Sequence, residues 1–188
     1  MELEYDLNVP ARVTDLSLDK LLDEEKLVRL HPHWFIESKQ DRDTLHWFQL
    51  RDYATDREFE LGLRLHADLA QEGEPGVRPL LCITLRDHPV QEIVLYMQDG
   101  VVRVRMRCLS RLSPEQEQDM LLWIRAIQEY LRLYTSTTPQ TLLFRGIMNF
   151  MMLKMNPSQR KITIMLTKIT VIELLVTVII VVGYVYFR

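Results

Sequence analysis

Five histidines and two cysteines are the side chains of this 188-residue chain that could do acid–base or metal chemistry. His31 and His33 are two residues apart and could share a metal ion, but Glu37 is the one further ligand indicated nearby. Cys82 and Cys108 lie inside apolar runs without the short spacing of a zinc site, so we expect buried thiols and no disulfide. No serine or cysteine occupies a glycine-flanked nucleophile motif. The sequence thus predicts no metal, no cofactor and no catalytic residue, and it favours binding over catalysis.

Three aromatic side chains could orient a bound molecule, because each joins a large apolar ring to one polar atom. They are Trp47, Tyr96 and Trp123. The alternative for each is a core residue whose polar atom bonds to the protein itself. His46 is predicted to lie on the strand face opposite Trp47, and His66 is predicted to face solvent.

Arginines alternate with apolar residues at Arg103, Arg105 and Arg107, which places them on one face of a predicted strand. We interpret this stripe as a solvated face that pairs across the sheet with carboxylates. The carboxylates considered are Glu58, Glu60 and Asp68. The alternative is a surface that meets anionic headgroups or an acidic partner.

A long apolar segment ends the sequence. Residues 169–187 contain one charge, Glu173, and as a helix would extend about 28 Å, close to the thickness of bilayer hydrocarbon. The basic residues predicted to flank this span at the membrane interface are Arg145, Lys154, Arg160, Lys161 and Lys168, whereas Arg188 follows it. The first twenty residues lack a signal-peptide pattern, so we expect a tail-anchored, single-pass protein with a cytoplasmic head, in a bacterial inner membrane or a eukaryotic membrane.

Glu173 has two interpretations. It either lies at the interface or contacts a partner helix inside the membrane. Lys168 is five residues away, which is a poor spacing for a helical ion pair.

A connector rich in methionine and aromatic residues precedes the span, over residues 136–161. Its apolar part is too short to cross a bilayer. One interpretation is an interfacial helix with Phe144, Ile147, Met148 and Met151 in the acyl boundary and basic residues at the phosphates. The other is a helix that docks on the head or on a partner protein. The predicted divisions are thus a head over 1–135, this connector, and a transmembrane helix over 162–188.

The head shows both helical and strand periodicity. A first strand over residues 3–9 precedes two short amphipathic helices within 14–30, and alternation of period two predicts further strands over 34–39, 45–53, 58–69, 80–86, 92–98 and 101–109. Asp99-Gly100 predicts a two-residue hairpin, and Ser113 with Pro114 and Gln116 predicts the start of a long amphipathic helix. A net charge of −3 gives no indication of nucleic-acid binding.

This element order, the VPA motif at residues 9–11 and the HPHW motif at 31–34 resemble the START-like, helix-grip superfamily known as SRPBCC. The resemblance covers about residues 1–134. It implies an α+β fold in which a curved antiparallel sheet grips a long C-terminal helix, followed here by one transmembrane helix. It also implies an apolar cavity for lipids, sterols, quinones or polyketides.

The residues predicted to line such a cavity are apolar strand positions, two helix positions and two tryptophans: Trp47, Leu61, Leu63, Leu65, Ile83, Leu85, Leu95, Met97, Val104, Met106, Trp123, Ile124 and Ile127. The alternative for each is a solid packed core. We therefore expect a membrane-anchored binding module for a lipophilic ligand. A non-catalytic membrane adaptor or assembly subunit, with a partner at Glu173, is the second expectation, and an enzyme on a lipid-like or polyketide-like substrate is the third.

Overall fold

The structure is a computed structural model that describes residues 1–7, 9, 18–42, 45–66 and 77–186. The strands are β1 (Glu2–Leu7), β2 (Trp34–Arg42), β3 (Leu45–Asp52), β4 (Arg57–His66), β5 (Val77–Arg86), β6 (Val90–Gln98) and β7 (Val101–Cys108). The helices are α1 (Leu18–Leu21), α2 (Glu24–Leu30), α3 (Pro114–Thr135), α4 (Pro139–Phe150) and α5 (Pro157–Tyr186), with a 3₁₀ turn at Met152–Lys154.

The described strands form one antiparallel sheet in the order β1-β7-β6-β5-β4-β3-β2. Consecutive strands from β2 to β7 are neighbours in the sheet, and the first strand, β1, pairs with the last, β7. This arrangement confirms the predicted α+β class with a long helix after the last strand. The curved sheet and its C-terminal helix are compatible with a helix-grip fold.

Local sequence signals fix two of the junctions. Asp99 and Gly100 both have positive φ, 52° and 78°, as a type I′ hairpin turn requires, and they connect β6 to β7 as predicted. Ser113 caps α3 by accepting a hydrogen bond from the backbone N–H of Gln116, whose side chain accepts from the N–H of Ser113 in return. This reciprocal capping box starts the helix where the sequence places it.

Strand β5 begins earlier than expected. The sequence predicts a loop through Pro79, but β5 extends back to Val77, and Pro79 is paired with Tyr96. The register shifts between Pro79 and Leu81, and this irregularity accommodates a residue that has no N–H to donate to the ladder. The predicted strand residues 67–69, the N-terminal part of the predicted helices at 14–17 and most of the VPA motif lie outside the described residues.

The chain divides into two compact units, Met1–Lys154 and Met155–Arg188. The first unit, called the head below, includes α4 and the 3₁₀ turn, so it extends beyond the predicted boundary at residue 135. The second contains α5, whose mean hydropathy reaches 2.4 over an 18-residue window. Length and composition would let α5 cross a membrane. Asn156 and Gln159 cap this helix reciprocally, and Pro157 occupies its first turn.

Candidate functional site

The apolar face of the sheet that packs toward α3, called the inner face below, contains most of the predicted cavity residues. Cross-strand pairing brings them together, as in Leu63 opposite Leu85 and Leu95 opposite Val104. The predicted residues buried on this face are Leu61, Leu63, Ile83, Leu85, Leu95, Val104 and Met106, and those buried on α3 are Trp123, Ile124 and Ile127. Leu65 and Met97 are partly buried and pack against this core.

Trp47 is the exception, and its predicted orientation is wrong. Phe48 and Leu50 are the buried residues of β3, and they pair with Leu61 and Phe59 on the inner face. Trp47 therefore lies on the outer face of the sheet, opposite Gly62. A Cβ atom on that glycine would lie 3.2 Å from two carbons of the indole ring, so the missing side chain makes room for Trp47.

The other two aromatic candidates, Trp123 and Tyr96, lie in different surroundings. The Trp123 indole N–H donates a 2.7 Å hydrogen bond to the carbonyl of Leu27, which ties α3 to α2. Tyr96 is buried on the outer face of the sheet, where the Arg105 guanidinium lies 5.0 Å from the centre of its ring. Trp123 thus serves the packing of the helices, and Tyr96 does not reach the interior of the head.

A buried histidine links α2, β2 and α3. The His31 imidazole is 0% exposed and stacks on Trp34 with ring centres 3.8 Å apart. Its Nδ1 accepts from the backbone N–H of His33 at 3.3 Å, and its Nε2 lies 3.2 Å from Asp119 Oδ1. Because Nδ1 accepts, the neutral ring carries its proton on Nε2 and donates it to Asp119. The cluster continues through Trp123, whose ring centre is 5.2 Å from that of Trp34.

Burial controls protonation in this cluster. It lowers the pKa of His31 by more than Asp119 raises it, and it lowers the pKa of His88, which lies nearby with its Nδ1 accepting from the N–H of Val90. Burial would raise the pKa of Asp119, but the hydrogen bond and charge of His31 outweigh it, and the net direction is downward. The described residues contain no group of three or more potential metal ligands. The contact between His31 and Asp119 links the end of α2 to α3.

An open depression of about 420 Å³ borders this cluster. It is lined by Leu85, Arg86, Asp87, His88, Pro89, Gln91, Leu109 and Ser110. Leu85 is the one predicted cavity residue among them. The depression therefore opens at the β5–β6 turn and not along the inner face between the sheet and α3.

The described ion-pair partners of the β7 arginine stripe lie on β1 and β6 and do not include Glu58 or Glu60, while Asp68 lies outside the described residues. Arg103 lies 3.0 Å from Asp6, and Arg105 lies 3.9 Å from Glu4. Arg107 is placed between Glu2 at 3.6 Å and Glu92 at 3.4 Å. Asp6, Glu4 and Glu2 follow from the antiparallel register of β1 with β7, and Glu92 follows from that of β6 with β7. The stripe is thus a cross-strand ion-pair ladder on the outer face.

One side of α4 is fixed to the end of α3. The Arg145 guanidinium donates to the carbonyls of Leu133 and Ser136 at 2.9 and 2.7 Å and lies over the Tyr134 ring at 4.7 Å. The Asn149 amide donates to the Tyr134 hydroxyl at 2.7 Å and accepts from the Tyr130 hydroxyl at 3.1 Å. The sequence predicts that Arg145 reaches membrane phosphates. In the structure its guanidinium contacts carbonyls at the end of α3.

The remainder of α4 is apolar and exposed. Its large exposed side chains are Leu142, Leu143, Phe144, Phe150 and, at its C-cap, Met151. Phe150 is 78% exposed. Ile147 and Met148 are instead partly buried, and Met148 packs against the core. We call the exposed set the α4 apolar face; grouped exposed apolar side chains often mark a binding surface.

The other basic residues predicted for the interface lie at or beyond the end of the head. Lys154 ends the 3₁₀ turn and is exposed. In the second unit, Arg160 donates through Nε to the carbonyl of Met155 at 3.0 Å, and Lys161 and Lys168 are exposed along α5.

A comparison with protein-family models found no match, and neither did a comparison with curated proteins. Among solved structures, protein CV1439 from Chromobacterium violaceum is similar at 17% identity and a TM-score of 0.42, over 73% of this chain and 98% of that one. Chr148 from Cytophaga hutchinsonii is similar at 14% identity and a TM-score of 0.37, over 71% and 90%. Both were solved as structural genomics targets. The similarities bring no function to this chain.

The sequence predicted no link between His31 and Asp119, whereas docking of the connector on the head was one of its two interpretations. The His31–Asp119 link joins residues 88 positions apart, and the one local signal was the dense HPHW motif. The docking of α4 on α3 had a clearer signal, because Asn149 interrupts an otherwise apolar run at a spacing of four residues from Arg145.

Proposed function

We propose that this chain is a single-pass membrane protein whose cytoplasmic head binds a lipophilic molecule from the adjoining leaflet. The START-like assignment is part of the proposal and is supported by the element order and by the curved sheet followed by α3. The excess of basic residues before the apolar segment at 169–187 supports the cytoplasmic orientation. The observation that carries the proposal is the α4 apolar face.

The contacts of α4 explain why we assign that face to lipid. Arg145 and Asn149 anchor the helix to α3, so its opposite side points away from the core of the head. Six residues separate Phe150 from Pro157, the first residue of the proposed anchor. So short a connection keeps α4 within reach of the headgroup region. Phenylalanine and leucine side chains then enter the acyl boundary as in other interfacial helices.

The membrane contact is tested with the full chain in lipid vesicles. An environment-sensitive fluorophore on Phe144→Cys reports depth through quenching by spin-labelled lipids. Glu115→Cys, at the other end of α3 and about 28 Å from Tyr134, is the matched control. Cys82 and Cys108 are buried and do not compete for the label. Strong quenching at position 144 with little at 115 is expected, and equal weak quenching at both would refute the contact.

Ligand binding is tested in the same vesicles with a lipid that carries a photoreactive group on its acyl chain. Adducts on the inner face or on buried α3 residues such as Ile124 and Ile127 would support the binding module. Adducts confined to α4 and α5 would refute it. A water-soluble photoreactive compound of similar reactivity controls for labelling of surface residues.

The second candidate function is the non-catalytic adaptor, and the packing of the head favours it. Leu61, Leu63, Ile83, Val104 and Trp123 are each 0% exposed, as in a core filled by its own side chains. In that case the α4 apolar face and α5 supply the contacts with partner proteins. An unlabelled interior together with cross-links from α4 to another protein would establish the adaptor.

A further inference from the structure

Five polar residues of α5 lie along one side of the helix. Thr163, Thr170, Thr177 and Tyr184 recur at intervals of seven residues, and Glu173 follows Thr170 by three. At about 100° per residue these five side chains occupy an arc of roughly 80°. We call this set the α5 polar face. A seven-residue repeat keeps one face aligned with a second helix over several turns.

Glu173 needs a partner if α5 spans a membrane, and the inference rests on that part of the proposed function. It lies five residues beyond Lys168 and twelve beyond Lys161, or about 8 to 18 Å along the helix from the basic residues. Lysine can extend its long side chain back to the headgroups, whereas glutamate has less reach. Lys168 cannot neutralise it, because five residues turn a helix through about 140° beyond a full turn.

We propose that α5 pairs in parallel with α5 of a second copy of this chain through the α5 polar face. Copies inserted from the same side have the same orientation. Two-fold symmetry then brings Glu173 of each copy to the same depth. Each carboxyl then accepts from the Thr170 hydroxyl of the second copy, so the pair supplies a hydrogen bond that hydrocarbon would not.

Of the three threonines on the α5 polar face, Thr163 and Thr177 use their hydroxyls within their own chain, Thr163 by donating to the Met155 sulfur at 3.6 Å. Thr177 donates to the backbone carbonyl of Glu173 at 2.9 Å, and Thr167 donates to that of Thr163 at 2.8 Å. Thr170 makes no side-chain hydrogen bond within the described residues, and it lies one turn before Glu173 on the same face. Its hydroxyl is free to donate to the carboxyl of the second copy.

The experiment uses the full chain in lipid vesicles at several protein-to-lipid ratios. Energy transfer between donor-labelled and acceptor-labelled Glu115→Cys proteins measures association. We expect transfer for the wild type and a loss of about tenfold in association constant for Glu173→Leu. Glu173→Gln supplies an amide donor and an amide acceptor at the same position and should stay within about threefold of the wild type. Leu175→Ala lies on the opposite side of α5 and should associate like the wild type.

Different results would contradict the α5 pairing and the membrane-spanning proposal. Energy transfer that is absent in the wild type, or unchanged in Glu173→Leu, overturns the pairing. Resistance to alkaline extraction is measured on the same vesicles and reports whether α5 is inserted. A protein that is inserted but monomeric contradicts the pairing alone, whereas a protein that alkali removes contradicts the membrane-spanning proposal itself.

Discussion

The His31–Asp119 link predicts a specific pH dependence of stability. Replacing His31 by phenylalanine keeps a ring for stacking on Trp34 but removes the bond to Asp119 and leaves the His33 N–H unpaired. A hydrogen bond to a charged group contributes about 1.5 to 3 kcal/mol. Asp119 is 31% exposed and regains water, so the lower part of that range applies. We expect a loss of about 2 kcal/mol near neutral pH.

The sign of the pH effect follows from the lowered pKa of His31. An unfolded histidine has a pKa of about 6.5, so below that pH the unfolded chain binds more protons than the folded one, and stability falls. This loss ends once the pH is below the lowered pKa of the folded state. His31→Phe removes one such group, so the gap between wild type and variant should shrink as the pH falls below about 6.5. One proton accounts for at most about 1.4 kcal/mol per pH unit.

The assay is denaturant unfolding of the full chain in lipid nanodiscs, followed by tryptophan fluorescence. Trp34 and Trp123 border His31 and report directly on the cluster. His66→Gln is the control, because His66 ends β4 far from Phe59, which contacts Trp34. A gap that stays constant or widens on acidification would show that His31 is not the group whose protonation opposes folding.

Three further predictions follow from individual contacts. Gly62→Ala should lower the free energy of unfolding by about 1 to 3 kcal/mol, because its Cβ would press on the Arg86 Cβ and on the Trp47 ring. Gly146→Ala has open space and should raise the free energy of unfolding by about 0.5 to 1 kcal/mol, and denaturant titrations compare the two variants. Asn149→Ala should release α4, and hydrogen exchange of residues 139–150 should quicken by about tenfold; an unchanged rate would mean that Arg145 and packing suffice. Cys82 should resist maleimide near pH 8 until the protein unfolds, since burial raises the pKa of its thiol to about 12, and rapid native labelling would contradict its placement.

Local signals predicted much of the architecture. The Asp99-Gly100 turn, the Ser113 cap and the period-two alternation of β4 require no distant partner, because turn conformation, capping and alternation each depend on neighbouring residues. The inner-face residues of β4 to β7 were placed together for the same reason. Hydropathy likewise identified α5 by its length and composition.

Trp47 shows where alternation fails. In β3 both faces carry large apolar residues, so the period of two separates Trp47 from Phe48 without stating which one faces α3. The pairing of Phe48 with Leu61 settles the choice, and the absence of a side chain at Gly62 accommodates Trp47 on the other face.

The sequence by itself determined the elements, their order and the apolar segment that could span a membrane, because these depend on short-range propensity and on hydrophobicity. Tertiary structure alone decided that the β7 arginines pair with β1, that His31 binds Asp119, and that Arg145 is held by α3. Each of these contacts depends on the strand order or on helix packing, which bring distant residues within hydrogen-bond reach. That same packing leaves the α4 apolar face exposed, and so it decided which apolar side chains of the head are available to a binding partner.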